Sequence, residues 1–250
     1  MHRFYLPPEQ CAGESFRLDG REAHHALNVL RLRSGETVTV LDGAGHEFQC
    51  EVISAAHHAV TLARRGRNFV PPPPCQLTLI QALPKGKIMD AIVQKAVELG
   101  AWRVVPILSE RVVSHLDEDG AEGKREKWRQ VAIEAIKQSG AAWLPQVDAP
   151  LSLAHFLARR EPFDLVLAGS LQPERRHPRA CLEEFRAAHG GPPSSIGVWV
   201  GPEGDFSPCE LAAILAAGAQ PVSLGRLVLR VETAAVFCLS ILNYELNLNP

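Results

Sequence analysis

The chain has 250 residues, of which 46% are hydrophobic, and a formal net charge of −2. This length provides a core for one large domain or two modest ones, and the near-neutral charge argues against a generally basic nucleic-acid coat protein. The six cysteines include no C-x-x-C pair, and no apolar stretch reaches the ~18 residues of a membrane span. We therefore expect a soluble, cytoplasmic protein with reduced thiols, acting without a membrane.

The N-terminal part of the sequence shows the two-residue alternation that is typical of β-strands. Asp42-Gly43 supplies a turn, one short helix is expected at residues 22–32, and four prolines at 71–74 end the pattern because proline cannot continue a ladder or a helix. This spacing predicts a small closed or partly closed β-barrel domain over residues 1–72. The strands are expected at residues 36–41, 46–53 and 59–63.

After the prolines, strands of buried type alternate with helices. This pattern predicts an α/β domain over residues 75–250 with a mostly parallel sheet. Its last helix is apolar almost all round, so it must be buried in a core or in a subunit interface. Strands are expected at residues 76–83, 103–108, 164–168, 196–200 and 222–224, and helices at 88–99, 126–139 and 233–246.

Two strand-to-glycine-to-helix junctions lie in the last part of this domain. In the first, an apolar strand stops at Gly201, and Ser207 with Glu210 forms a capping box that begins a helix. In the second, a strand stops at Gly225. Ligands of open α/β sheets bind at the carboxyl ends of strands. The two junctions therefore predict one shared crevice.

The crevice lacks the sequence signatures of phosphate-rich ligands. The chain has no G-x-x-x-x-G-K-[ST], and no G-x-G-x-x-G follows its first strand. A ligand without phosphates, held by loop backbone and apolar side chains, fits better. S-adenosylmethionine is one such ligand, because its adenosine suits an apolar slot and a carboxylate such as Glu203 or Glu232 would favour its sulfonium cation.

Several motifs, taken together in their order and spacing, resemble one family. They are residues 83–90 (LPKGKIMD), 94–100 (QKAVELG), 201–207 (GPEGDFS) and 224–234 (LGRLVLRVETA), with residues 3–5 and 24–32 matching as well. On these motifs the chain is similar to the ribosomal RNA small subunit methyltransferase E family, within the knotted SPOUT superfamily. The resemblance covers essentially the whole chain.

The resemblance implies an architecture and an activity. It implies a PUA-like RNA-binding barrel followed by a SPOUT domain with a deep trefoil knot. It also implies a homodimer that uses S-adenosylmethionine to methylate N3 of one uridine in the 16S rRNA of the small ribosomal subunit. Two alternatives stay open: a SPOUT enzyme acting on another RNA, or a non-catalytic RNA-binding assembly factor with the same fold.

The motif positions also imply site residues. Arg230 is the candidate for stabilising the deprotonated base, with Glu232 as the base or as the orienter of Arg230. No metal is expected, because the His24-His25 pair has no carboxylate or cysteine partners at ligand spacing. The expected cofactor pocket is Gly201, Glu203, Leu224, Gly225, Leu229 and Arg230, and the expected RNA-binding residues are Arg3, His24, Arg31, Lys85 and Lys87.

Three positions depart from the pattern of that family. Asp205 stands where the family usually has glycine, and Arg226 lies one place earlier than the usual arginine. Ala141 stands where an arginine usually follows Gly140. The first two changes leave pockets built from backbone plausible, whereas the third argues against an RNA or catalytic role at position 141.

Overall fold

The computed structural model describes residues 2–56, 58–111 and 117–247 of the chain. The chain divides into two compact units, the first comprising residues 1–72 with 133–144 and the second residues 73–132 with 145–250. The division at Pro72 and Pro73 lies inside the run of four prolines. The inclusion of residues 133–144 in the first unit has no counterpart in the sequence pattern.

The first unit is built on strands and a few short helical turns. The strands are β1 (His2–Tyr5), β2 (Ser15–Leu18), β3 (Thr37–Leu41), β4 (His46–Ala56) and β5 (Ala59–Phe69). They form one sheet in the order β1-β3-β4-β5-β2, in which β1 pairs with β3 in parallel and the other neighbours are antiparallel. A 3-10 turn (Pro8–Gln10) and the short helix α1 (Gly20–His24) complete the first part of the unit.

The alternation in the sequence explains how these strands pack. Val38 and Val40 of β3 are fully buried, whereas Thr37 is exposed. Phe16 and Phe48 meet edge to face in the core with their ring centroids 5.1 Å apart. The turn after β3 is held by Asp42, whose Oδ1 accepts hydrogen bonds from the amides of Ala44 (2.7 Å) and His46 (3.0 Å).

The structure differs from the expectations for this unit in three respects. Strands β4 and β5 extend beyond the expected ends at residues 53 and 63, to Ala56 and Phe69. The helix expected at residues 22–32 is instead α1 followed by a π-helical turn, His25–Val29. The sheet also contains β1 and β2, which the pattern did not indicate because each has only four residues.

The second unit alternates strands and helices along the chain. Its strands are β6 (Gln76–Ala82), β7 (Arg103–Leu108), β8 (Gln146–Val147), β9 (Leu151–Ser152), β10 (Leu165–Gly169), β11 (Ser195–Val200) and β12 (Gln220–Val222). Its helices are α2 (Ile88–Glu98), α3 (Glu118–Ser139), α4 (Leu153–Ala158), α5 (Pro178–His189), α6 (Pro208–Ala216) and α7 (Val231–Asn247). From residue 133 onward, α3 belongs to the first unit.

All the strands of the second unit form one parallel sheet. The order is β12-β10-β11-β6-β7-β8, with β9 also paired to β7. The central strands are buried on both faces, which explains their nearly continuous apolar sequences. Trp199 of β11 lies in this core, edge to face with Phe156 at 5.3 Å between centroids. The parallel α/β arrangement expected from the sequence is confirmed.

Several element bounds differ from the expected ones. Helix α3 begins eight residues earlier than expected, at Glu118. The sequence did not indicate its first turns because they are charged and carry no apolar stripe. Strand β12 ends at Val222, so the stretch before Gly225 is irregular. Helices α4 and α5 were not expected. No helix in the described ranges is both long and apolar enough to cross a membrane.

Helix α7 buries one side and exposes the other. Ala235, Leu239 and Leu242 are buried, and the helix packs on α2, β6 and β11. Phe237 and Tyr244, two helical turns apart, are 39% and 62% exposed. Although the helix is apolar almost all round, only one of its sides is buried in the core of a single chain.

Candidate functional site

A cavity of about 460 Å³ opens in the second unit, where β10, β11 and β12 end. Because these strands are parallel, their carboxyl ends meet at one edge of the sheet, and the loops that follow them form the walls. The walls are the segments 169–171, 200–205, 224–225 and 227–232, together with Ile88 and Ala234. The two glycine junctions of the sequence thus share one crevice.

The first wall is the loop from Gly201 to Phe206. A Cβ atom on Gly201 would lie 3.0 Å from Asp205 Oδ1 and 3.3 Å from the Phe206 ring, so only glycine fits without displacement. Asp205 has a positive φ of 68°, and its carboxylate accepts a hydrogen bond of 2.8 Å from the Phe206 amide. Aspartate is one of the few residue types with a side chain that tolerate this left-handed conformation.

The helix after this loop begins with the expected capping box. Ser207 Oγ accepts from the Glu210 amide at 3.2 Å, and Glu210 Oε2 accepts from the Ser207 amide at 2.9 Å. Pro208 occupies the first turn of α6, where its missing N–H has no cost. The side chain of Arg111 donates to the Gly204 carbonyl, so a second segment of the unit also fixes the loop.

The second wall runs from Ser223 to Glu232. Gly225 has a φ of 112°, a conformation that L side chains rarely adopt. Ser223 Oγ accepts hydrogen bonds from the Gly225 amide (3.3 Å) and from Arg175 Nε (3.3 Å). Arg175 also donates to the Leu171 carbonyl at 2.6 Å, and it thereby joins the loop after β10 to the loop after β12.

The structure brings the expected pocket and catalytic residues together. All of them line the cavity: Gly201, Glu203, Leu224, Gly225, Leu229, Arg230 and Glu232. The Arg230 side chain is exposed and Glu232 is half-buried, both at the start of α7. The Glu203 carboxylate does not stand free in the cavity wall, because it accepts the Lys85 amide at 3.2 and 3.3 Å.

Sequence reasoning missed the third wall, which consists of Gly169, Ser170 and Leu171. A signal was present, since the apolar run of β10 also stops at a glycine, Gly169. It also missed Arg175, which contacts loops rather than the cavity and has no motif of its own.

The expected RNA-binding residues occupy different settings. Arg3 of the first unit donates to the carbonyls of Lys137 (3.4 Å) and Gln138 (3.1 Å) at the end of α3, which gives it a role as a helix C-cap. His24 and Arg31 are exposed in the same unit. Lys85 and Lys87 are exposed in the second unit, directly before cavity residue Ile88.

Most of the cysteines in the described ranges are buried, and burial makes them poor nucleophiles. Burial raises the pKa of Cys238 in α7 to about 12 and that of Cys50 to about 11. Cys209 in α6 is exposed. Among the residues that the structure describes, no group of three or more His, Cys, Asp or Glu side chains could hold a metal ion.

Comparison with known proteins identifies the family. A model described as the RNA methyltransferase domain matches residues 71–243, and one described as the RNA methyltransferase PUA domain matches residues 18–63. The ribosomal RNA small subunit methyltransferase E of Synechocystis is 32% identical over 97% of this chain and 77% of its own length. That of Bacillus subtilis is 31% identical over 94% of this chain and 91% of its own.

The chain belongs to the ribosomal RNA small subunit methyltransferase E family. Its first unit therefore contains the PUA domain of that family, and the family resemblance seen in the motifs is confirmed.

Two similar solved structures have the same fold. The Neisseria gonorrhoeae methyltransferase E bound to S-adenosyl methionine is 30% identical, with a TM-score of 0.85 over 98% of both chains. A Legionella pneumophila protein, described as a putative methyltransferase in complex with the cofactor SAM, is 29% identical, with a TM-score of 0.85 over 97% of both chains.

Proposed function

We propose that this chain transfers a methyl group from S-adenosylmethionine to N3 of a uridine in the 16S rRNA of the small ribosomal subunit. The observation that carries the proposal is that every expected pocket and catalytic residue lines one cavity at the carboxyl ends of three parallel strands. The names of the methyltransferase E relatives and the cofactor in two similar structures support it.

The lining fits S-adenosylmethionine in size and chemistry. A volume of about 460 Å³ suits a small ligand. Apolar side chains, among them Leu224, Leu227 and Leu229, suit the adenosine, and the carboxylates of Asp205 and Glu232 provide negative charge for a sulfonium and an ammonium. Arg230 is the one cationic side chain among the described lining residues, so the cavity does not resemble a phosphate site.

Different residues of the chain would have different roles in catalysis. When bound, S-adenosylmethionine supplies the electrophilic methyl group. The loops at Gly201 and Gly225 position the two reactants for an in-line displacement. This positioning can supply most of the gain in rate. Arg230 stabilises the uracil anion left when the N3 proton departs. Glu232, two residues further on, takes that proton or orients Arg230.

The proposal includes the knot and the dimer. From β12 at the sheet edge the chain returns, as α7, to α2, β6 and β11 in the middle of the unit, as a C-terminal knot requires. The exposed Phe237 and Tyr244 on α7 are apolar surface that a second copy would cover. RNA phosphates would be held by Arg3, His24 and Arg31 of the PUA-containing unit and by Lys85 and Lys87. The enzyme would act on ribosomal RNA in the cytoplasm.

The test is methylation of the proposed substrate. Small subunits lacking the modification are incubated with labelled methyl donor, and the rRNA is digested for nucleoside mass spectrometry. We expect label in 3-methyluridine. Label in another nucleoside or in tRNA alone would point to a different target, and absence of both methyl transfer and saturable cofactor binding would point to a binding protein.

A further inference from the structure

The loop after β6 and the first wall of the cavity are joined by one side chain. Glu203 accepts the Lys85 amide through both carboxylate oxygens, at 3.2 and 3.3 Å. Pro84 precedes this amide and has no N–H of its own, and the Leu83 amide is already paired with the Ile107 carbonyl. The Lys85 amide is therefore the first one free after the strand, and Glu203 satisfies it.

The same short loop presents two cations. Lys85 and Lys87 are exposed, and within the described residues their ammonium groups have no hydrogen bond or ion pair. Gly86 between them has a φ of 70°, and a Cβ atom at this position would meet nothing within 4 Å. Ile88, the next residue after Lys87, lines the cavity. The basic loop thus touches the cavity at both ends, through Glu203 and through Ile88.

We infer that Glu203 is a positioning residue that couples cofactor binding to RNA binding by orienting the Lys85–Lys87 loop. The inference rests on the proposed function. A ligand between the Gly201 wall and Ile88 restricts both ends of the loop, so less entropy is lost when RNA phosphates then bind the two lysines. The coupling is reciprocal: RNA tightens cofactor binding by the same factor.

This role differs from the direct electrostatic role that the sequence suggested for Glu203. A carboxylate that stabilises a sulfonium acts through its charge, whereas a link to Lys85 acts through an acceptor oxygen. Glu203→Gln separates the two, because its amide oxygen still accepts the Lys85 N–H but the charge is gone. Glu203→Ala removes both. Glu183→Ala, at an exposed position of α5 away from the cavity lining, is the matched control.

The test measures how unmethylated small subunits bind each variant by co-sedimentation, with and without saturating S-adenosylhomocysteine, whose affinity is measured separately by calorimetry. For the unaltered chain and for Glu183→Ala we expect S-adenosylhomocysteine to tighten subunit binding about fivefold to tenfold. Glu203→Gln should keep that ratio, and Glu203→Ala should reduce it to about one. When S-adenosylhomocysteine is bound, the slope of log binding affinity against log salt concentration should become steeper by the equivalent of about one or two phosphate contacts. Glu203→Ala should not show this change.

Three results would overturn the inference: no tightening in the unaltered chain, an unchanged ratio in Glu203→Ala, or a loss in Glu203→Gln as large as that in Glu203→Ala. Each leaves the proposed function intact as long as S-adenosylhomocysteine binds. Absence of nucleoside binding to the unaltered chain would instead remove the proposed function, and the inference with it.

Discussion

Glu210 Oε1 accepts a hydrogen bond of 2.8 Å from the amide of Glu110, a residue 100 positions earlier in the chain. The other oxygen of the same carboxylate accepts from the Ser207 amide at 2.9 Å, and Glu210 is only 6% exposed. One buried side chain therefore holds the start of α6, and with it the end of the Gly201 loop, against the segment that follows β7.

Glu210→Ala should destabilise the second unit. It leaves two amides without their acceptor, which costs about 1–3 kcal/mol of unfolding free energy. Denaturation in urea measures the loss, and Glu183→Ala, an exposed glutamate, should change stability by less than ~0.5 kcal/mol. Equal stability of the two variants would show that the Glu110 contact does not hold the loop.

Gly201→Ala should weaken cofactor binding. The added methyl group would meet Asp205 Oδ1 at 3.0 Å and the Phe206 ring at 3.3 Å, so the cavity wall must shift. We expect a loss of about tenfold or more in S-adenosylmethionine affinity, measured by calorimetry, since a shift of this size costs on the order of 1–3 kcal/mol. Gly191→Ala is the control, because its Cβ would meet nothing within 4 Å. Unchanged affinity in Gly201→Ala would place the ligand elsewhere.

Arg230→Ala should abolish most of the methylation while cofactor binding remains. Loss of one group that stabilises developing charge costs about 10²–10³ in kcat. Single-turnover methylation of small subunits measures the rate, and calorimetry with S-adenosylhomocysteine measures binding. A rate within a few fold of that of the unaltered chain would remove Arg230 from the catalytic role.

Arg175→Ala should raise the KM for S-adenosylmethionine and leave kcat at saturation nearly unchanged. Arg175 joins Ser223 to the Leu171 carbonyl, so its loss loosens two cavity walls without removing a group that contacts the reacting atoms. Arg175→Lys keeps the charge but not the planar fork, and it should recover only part of the affinity. A fall in kcat with an unchanged KM would contradict a role in shaping the cavity.

The thiols should react in the order set by burial. Burial raises the pKa of Cys238 to about 12, so its thiol stays protonated near neutral pH, whereas Cys209 is exposed. Alkylation of the native chain, followed by peptide mass spectrometry, should label Cys209 first and Cys238 only after unfolding. Early labelling of Cys238 would show that α7 is less firmly packed than its buried face indicates.

The sequence was sufficient for the parts of the site that are local. Gly201, the capping box at Ser207 and the apolar strands have fixed spacings, and each is present in the structure. The contacts of Glu203 with Lys85 and of Arg175 with Ser223 join residues 118 and 48 positions apart, so no local pattern could indicate them. Short elements such as β1 were missed because four residues carry too little periodicity.

Arg3 shows that a motif can indicate a residue without indicating its contacts within the fold. Its place in the Arg3-Phe4-Tyr5 motif predicts a contact with RNA, which stays a prediction, and the motif did not indicate that its guanidinium donates to the last carbonyls of α3. Motif position alone cannot separate a residue that binds a ligand from one that supports the fold around it.

A crystal structure of this chain with S-adenosylhomocysteine would test the central claim most directly. We expect the adenosine among the apolar side chains of the cavity and the amino-acid end between the loops at Gly201 and Gly225. A nucleoside bound outside these loops, or a cavity closed by Leu227 and Val228 with no ligand in it, would contradict the account.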